Sequence, residues 1–480
     1  MARSESVVRL GAALTAAGIL LAGCASLPEV HPWAGTAGEP RTSTLVGARG
    51  RTISPERSAA ILARLGKGSD ALARHAAVEE EVSGAPLVLG NAAGVLYDGP
   101  AFYKEMFDAI ERARDHINVE FYIIEDDEVG RGFADALLRK AKQGLSVNLI
   151  YDSVGSLGTP PAYFERLRAG GVKVVEYNPV NPLRARAGWR VNNRNHRKVV
   201  IVDGRVAFTG GINISNVYSA GSSPGARPSR SGSGASGGFG SRPSGKEAGR
   251  EPGWRDTNVR IEGPVVAQVQ RLFLDTWAKQ QGAPLPQREW FPTSPRAGDH
   301  PVRMVTSGPR DPVPAIYVSL LSAIAHSEKS VHITVAYFVP DPQTIEALKA
   351  AAGRGVDVAL VLPSYTDFWA VFHAGRSHYA ELLAGGVKIY ERQQALLHAK
   401  TAVIDGVWSS VGSSNMDWRS FLHNEELNAV VLGWDFGKQM EAVFERDLAE
   451  STRIDLEAWE KRPMGVRMKE WAARMWEYWL

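Results

Sequence analysis

The sequence predicts an α/β protein of two fused, similar halves, each a mixed β-sheet flanked by helices. Three observations carry that expectation. From residue 85 onward, short apolar runs rich in Val and Ile alternate with amphipathic segments of helical period, the pattern of sheets covered by helices. The pattern then returns: "AGGVKVVEY" at 169–177 is answered by "AGGVKIYER" at 384–392, and "NHRKVVIVDG" at 195–204 by "LHAKTAVIDG" at 397–406. Spacing within the second pair is identical, because His196 and His398, Lys198 and Lys400, Asp203 and Asp405, and Asn213 and Asn415 all stand 202 residues apart. A period of that length means a duplicated domain rather than a stack of short repeats.

Taken in order, the chain opens with Arg3 and Arg9 before "GAALTAAGILLAG", an apolar stretch too short for a comfortable membrane span and suited to an export signal. It ends at Leu21-Ala22-Gly23-Cys24, which resembles the bacterial lipoprotein processing box, and Cys24 is the only cysteine of the chain. Residues 1–23 are therefore expected to be a signal peptide and Cys24 a lipidated, membrane-anchoring residue. Ala25 after it favours the outer membrane of a two-membrane bacterium, with the protein facing the periplasm. A single cysteine allows no intrachain disulfide, so stability has to come from packing. Residues 24–84 read as a tether with one short helix near Pro55–Leu65.

The first half is expected over 85–282. A helix leads into an apolar strand at 119–124, a second helix over 131–143 stops at Gly144, and "SVNLIYD" follows as a buried strand. A linker at 283–300 leads to the second half, 301–480. There "SVHITVAYFVPDPQTIEALKAAAGRGVDVALVLP" reads as strand, helix, strand, with Asp341 as N-cap and Pro342 at the first helical position. The terminal "MKEWAARMWEYWL" places Trp471, Met475, Tyr478 and Trp479 on one helical face, expected to pack on the body rather than enter a membrane interface.

One mismatch between the halves is resolved by counting. Glu426 follows Asn415 by 11 residues, whereas the matching acid of the first half, Asp256, follows Asn213 by 43. The excess of 32 is the length of the Ser/Gly/Pro-rich stretch 219–250, which carries too few apolar residues to fold and reads as a disordered insert.

The repeated motif carries the chemistry. Alternate residues of a strand share a face, so His196, Lys198, Val200 and Val202 point one way and Val199, Ile201 and Asp203 the other. "DG" at 203–204 is a hairpin signal, which puts Asp203, and likewise Asp405, in a turn. A turn centred between Gly204 and Arg205 would set Asn213 opposite His196 and Gly211 opposite Lys198. The second copy would set Asn415 opposite His398 and Ser413 opposite Lys400, with the small residue leaving room for a ligand. An imidazole, an ammonium and an amide gathered on one face suit a phosphate. "EDDE" at 125–128 lacks the spacing of a calcium loop and is expected to serve a helix start. The net charge of +3 argues neither for a polyanionic partner nor against an anionic substrate, and no dense basic stripe interleaved with aromatics suggests nucleic acid.

The doubled pattern H-x-K, four residues, D, six residues, G-[GS]-x-N resembles the phospholipase D superfamily. "NNRNHRKVVIVDGRVAFTGGINIS", "GWRDTNVRIEGPVV" and "GSSNMDWRSFLHNEELN" are most similar to its cardiolipin synthase branch. The resemblance implies a pseudo-twofold arrangement with one active site at the interface of the halves, acting on membrane phospholipids without metal or cofactor. It further implies a catalytic set of His196, Lys198, Asp203, His398, Lys400 and Asp405. One histidine, taken as His196, would attack phosphorus while His398 serves as general acid and base. Lys198, Lys400, Asn213 and Asn415, with Gly211 and Ser413 beside them, would hold the phosphate, and Asp256 and Glu426 would each accept from the far nitrogen of a histidine. The expected activity is transfer of a phosphatidyl group between phosphatidylglycerol molecules. Trp189, Trp254, Trp369 and Trp418 near the motifs would supply an apolar, water-excluding lining. Hydrolysis of a phosphodiester is the alternative reaction, and a lipid-binding lipoprotein without turnover the alternative class.

Overall fold

The computed structural model describes residues 27–30, 43–181, 183, 189–220 and 253–479. The expected signal peptide and lipidated Cys24, and residues 221–250 of the expected insert, lie outside them. Two seven-stranded sheets dominate the fold, each with the order implied by two βαβ crossovers and a returning hairpin. In the first, β2 (Leu87–Leu96) pairs with β10 (Asn258–Glu262), followed by β8 (Val206–Gly210), β7 (Lys198–Val202), β3 (His116–Phe121), β4 (Ser146–Asp152) and β5 (Lys173–Tyr177). The second runs β11 (His300–Ser307), β18 (Asn424–Leu432), β17 (Trp408–Gly412), β16 (Lys400–Ile404), β12 (Ser330–Val335), β13 (Asp357–Pro363) and β14 (Lys388–Arg392). The two orders match strand for strand, so the duplication in the sequence is a duplication of topology. β2 also pairs with β11 and joins the sheets into one.

The sheets face each other across a shared apolar layer. Val199 and Ile201 of β7, Val259 and Ile261 of β10, and Val403, Leu427 and Val431 of the second half all belong to it, essentially without solvent exposure. Val200, Val202 and Phe208 point the other way, into the helices Gly99–Arg112 and Glu128–Lys142. β7 is thus covered on both faces, which is why it reads as an unbroken β-branched run. At about 1.5–3 kcal/mol for each large apolar side chain buried, the shared layer binds the halves into one body.

The N-terminal segment holds more structure than a tether. The helix Pro55–Leu65 starts on Ser54, whose hydroxyl accepts from the Arg57 N–H, with Pro55 at the first position. A second helix, Ala71–Ser83, was not legible because its last turns read "VEEEVS" rather than an apolar stripe. It docks on the helix Ala315–Ala325 and sends buried Glu79 to the Arg303 guanidinium at 3.0 Å. Residues 283–299 carry neither helix nor strand, and the second half's first strand begins at His300.

Candidate active site

Each histidine follows a two-residue strand of its own half that pairs with a strand of the opposite half. β6 (Arg194–Asn195) runs parallel to the start of β18, and the His196 N–H donates to the Glu425 carbonyl at 3.0 Å. β15 (Leu396–Leu397) runs parallel to β9 (Trp254–Arg255), and the His398 N–H donates to the Arg255 carbonyl at 2.7 Å. The residue after each contacted carbonyl is an acid. The outcome is a crossed pairing: Nδ1 of His196 lies 2.9 and 3.1 Å from the two carboxylate oxygens of Glu426, and Nδ1 of His398 lies 2.6 Å from Oδ2 of Asp256. With Nδ1 carrying the proton to the acid, each Nε2 is left with its lone pair for a reacting atom.

The electrostatics tie these groups into one centre. Burial, then the cations of Lys198 and Lys400, hold His196 well below the usual imidazole range. His398 is lowered by burial and Lys400, with the Asp256 carboxylate opposing the shift. Both imidazoles are therefore neutral at pH 7. Burial pushes Lys198 down to about 7 and Lys400 to about 8, in each case against the pull of Glu426 and Asp256. Glu426 is pushed up to about 7 by burial, against Lys198. Such a site, with two buried lysines stripped of water between the two histidine acids, is poised for a negatively charged ligand. Each ammonium folds onto the carbonyl of its own histidine, His196 or His398.

The chain matches the family described as "Cardiolipin synthase, PLD-like domain" over residues 106–219 and 320–448, one segment in each half. It is 35% identical over 395 residues to the cardiolipin synthase of Geobacillus sp. strain WCH70, covering 81% of this chain and 72% of that one. Cardiolipin synthase 2 of Bacillus anthracis is 35% identical over 383 residues, with 79% of this chain and 69% of that one covered. The chain belongs to the cardiolipin synthase family. It is an enzyme of the phospholipase D superfamily. Its fold is shared by phosphatidylserine synthase of Haemophilus influenzae, whose crystal structure superposes with a TM-score of 0.59 at 13% identity, over 85% of this chain and all of that one.

Within this family frame several expectations about the site need correction. The hairpin register is one residue off the expected one: Val202 pairs with Val206 and Thr209 with Val199, and the second copy pairs Ile404 with Trp408. Asp203 and Gly204 both take left-handed backbone, φ 53° and 62°, and the Arg205 N–H closes on the Val202 carbonyl, leaving Arg205 as the extra residue. Gly211 and Ser413 consequently do not leave room for a ligand. A Cβ on Gly211 would stand 2.2 Å from Oδ1 of Asp256, and the Ser413 hydroxyl donates to Glu426, so both small residues make room for the acids. Asp203 and Asp405, although part of the motif, lie at the far ends of their strands. Asp203 accepts from the N–H groups of Arg114, Asp115 and His116, and Asp405 from those of Glu328, Lys329 and Ser330. They pin the starts of β3 and β12 and do not reach the reacting centre.

Asn213 accepts from the Ile123 N–H at 3.1 Å, which turns its amide nitrogen to the Tyr218 hydroxyl. The Asn415 side-chain oxygen is buried without a partner. "EDDE" serves the helix start: Asp127 caps Glu128–Lys142 by accepting from the Gly130 N–H. Of the four tryptophans, Trp254 alone meets a reactive ring, 5.1 Å from His398.

Sequence reasoning passed over three tyrosines. Tyr122 stands edge-on to His196 at 5.0 Å and Tyr337 edge-on to His398 at 6.3 Å, while the Tyr218 hydroxyl lies 3.3 Å from His398 Nδ1. Tyr122 and Tyr337 follow equivalent strands, in "EFYII" and "VAYFV", and that recurrence was the available signal.

Proposed function

We propose that the protein is a phosphatidyltransferase that joins two phosphatidylglycerol molecules into cardiolipin and glycerol through a phosphohistidine. The observation that carries this reading is the crossed pair of histidine–acid dyads around two buried lysines, in a chain of the cardiolipin synthase family. Nε2 of His196 attacks the phosphorus of one lipid, and the bond from phosphorus to the headgroup glycerol breaks as His398 gives that oxygen a proton. A hydroxyl of a second phosphatidylglycerol then attacks the phosphohistidine, His398 takes the hydroxyl proton, and the N–P bond breaks. Atoms and charge return to the start.

The assignment of roles rests on an asymmetry. Asp256 holds His398 at 2.6 Å, closer than Glu426 holds His196, and an anion so near favours the imidazolium that a general acid requires. The incoming phosphodiester adds a second negative charge in the same direction. Lys198 and Lys400 meet the non-bridging oxygens as charge builds on them, with the Asn213 and Asn415 amides beside them. The aromatic wall of buried Tyr218 and half-buried Trp254 and Tyr337 shields the intermediate from bulk water, which favours a lipid alcohol as acceptor.

No helix among the described residues is long and apolar enough to cross a membrane. We place the enzyme at the periplasmic side of the outer membrane through acyl chains on Cys24, two or three of which hold a protein on a bilayer. Purified protein incubated with labelled phosphatidylglycerol vesicles should form cardiolipin faster than phosphatidic acid, and His196→Ala or His398→Ala should each abolish it. Dominant phosphatidic acid would make the enzyme a hydrolase. Cleavage of nucleic acid with no lipid product would overturn the lipid reading. Cys24→Ser should release the protein from membranes.

A further inference from the structure

The last helix, Met464–Arg474, is built the wrong way round for a surface helix. Its inner side is narrow: Ala473 packs with Val339, Val371 and Ala374, and buried Glu470 is held by the Arg462 guanidinium. Its outer side carries Met464, Met468, Trp471 and Met475 at spacings of four, three and four, one continuous apolar stripe, each at least 61% exposed. Trp476 extends it. The exposed charges on the helix, Arg467, Lys469 and Arg474, are all basic, with Glu477 facing Arg474 at 3.9 Å just beyond it.

Its position matters as much as its composition. The cluster under Ala473 includes Tyr337, whose ring stands against His398, so the outer stripe lies about one helix diameter from the wall of the active site. Tyr478 packs with its ring tilted against Trp418, three residues after Asn415. The first half shows the same bias. Leu157, 70% exposed, follows the carboxyl end of β4, and Val191, 54% exposed, lies in the loop between β5 and β6. These are the strand ends that carry Tyr122 and the histidines. At the opposite edge, where Asp203 and Asp405 sit, Phe291 is the one exposed large apolar side chain among the described residues. Exposed apolar groups collected on the catalytic edge of both halves, flanked by cations on the helix, are the features of a surface that enters a headgroup layer.

We infer that Met464–Arg474 and Trp476 dock the catalytic edge onto an anionic bilayer, a contact separate from any acyl anchor. This rests on the lipid substrate proposed above, since a phosphodiester in a bilayer reaches His196 and His398 only if that edge lies against the membrane. Met and Trp insert at headgroup depth while Arg467 and Arg474 pair with lipid phosphates.

The test uses the full chain carrying Cys24→Ser, which removes both the acylation site and the only thiol. Met475→Cys or, at the opposite edge, exposed Arg205→Cys then takes a polarity-sensitive dye. With phosphatidylglycerol vesicles the dye at 475 should shift to the blue and be quenched by brominated acyl chains, and the dye at 205 should do neither. Met468→Glu with Trp471→Glu should lower vesicle binding at least tenfold while cleavage of soluble bis(4-nitrophenyl) phosphate stays within twofold. Equal response at both positions, or unchanged binding in the double variant, would overturn the docking. His196→Ala should bind vesicles like the parent, so loss of lipid transfer and loss of docking are read separately.

Discussion

Glu426→Gln changes one atom in the second half and should act on the histidine of the first. In the native site the Glu426 carboxylate takes the Nδ1 proton of His196 in a charge-assisted contact of 2.9 Å, buried without solvent exposure. Hydrogen bonds to charged groups are worth about 1.5–3 kcal/mol, which corresponds to a loss of about 10- to 150-fold in turnover at about 1.4 kcal/mol per decade. An amide can also donate to Nδ1 and move the proton to Nε2, the nitrogen that attacks phosphorus, so the upper end of that range is expected. The loss should fall on kcat rather than KM, because the acid touches the nucleophile and not the lipid. Cardiolipin formation measured for Glu426→Gln, His196→Ala and the double variant forms a cycle. The double should be no slower than His196→Ala alone, whereas Glu426→Gln with Asp256→Asn should approach the product of the single losses. In protein carrying ¹⁵N-histidine, Glu426→Gln should move the His196 ring resonances and leave those of His398 nearly in place. If Glu426→Gln is instead additive with His196→Ala, or perturbs His398, the crossed pairing is wrong.

Sulfate, whose charge is constant across the range, should raise the melting temperature more at pH 6.5 than at pH 9, as followed by calorimetry, because Lys198 and Lys400 shed their protons near 7 and 8 and no longer attract an anion. The same lysines make ligand-free stability rise with pH between about 7 and 10: unfolded lysine titrates near 10.4, so the unfolded chain holds more protons there and each step up in pH favours the folded state. A ligand-free melting temperature that falls steadily over that window would contradict the burial of these cations. Asp203→Asn keeps the left-handed turn but weakens a carboxylate that serves three N–H groups. It should cost about 1–3 kcal/mol in urea unfolding while turnover stays within a few-fold. Gly211→Ala, whose Cβ would stand 2.2 Å from Asp256, should lose activity to the extent that Asp256→Asn does. Removing residues 219–250 should leave the rate within tenfold, since loop-closure cost changes slowly with length and Tyr218 and Trp254 are both retained.

The duplicated topology was legible because a period of 202 residues survives in the motif and because β7 and β16, covered on both faces, advertise themselves as β-branched runs. Histidine, lysine and asparagine could be read for the same reason: local spacing identifies them. The hairpin register could not. A symmetric turn and a left-handed Asp-Gly turn with one extra residue share the same letters, and they differ by the one-residue shift that decides whether Gly211 faces a ligand or an acid. The helix Ala71–Ser83 escaped because its stability comes from Leu72, Ala76 and the Glu79–Arg303 ion pair, contacts made across more than 200 residues of chain. The aromatic wall was half visible, in that the tryptophans stand near the motifs and Tyr337 recurs with Tyr122 after equivalent strands, yet Tyr218, which meets His398, carries no spacing to mark it.

The acids were legible as residue types but not as partners, and the reason lies in how the halves are joined. Glu426 is 11 residues from Asn415, and Asp256 is equally near Asn213 once the insert is set aside, so sequence proximity pairs each acid with its own half. The structure pairs them across, because β6 lies along β18 and β15 along β9, and each acid comes directly after the two residues that pair with the other half's histidine strand. An isolated half would therefore carry a histidine with no acid, an acid with no histidine, and one buried lysine facing open water. Either histidine loses the group that orients it as soon as the shared layer of Val199, Ile201, Val403 and Leu427 loosens. Orientation of the imidazoles is in this way coupled to the packing of the whole interface. A cavity there, such as Leu427→Ala, should lower kcat by more than its effect on the folded fraction accounts for, and parallel loss of the two would mean that the dyads keep their geometry without the interface.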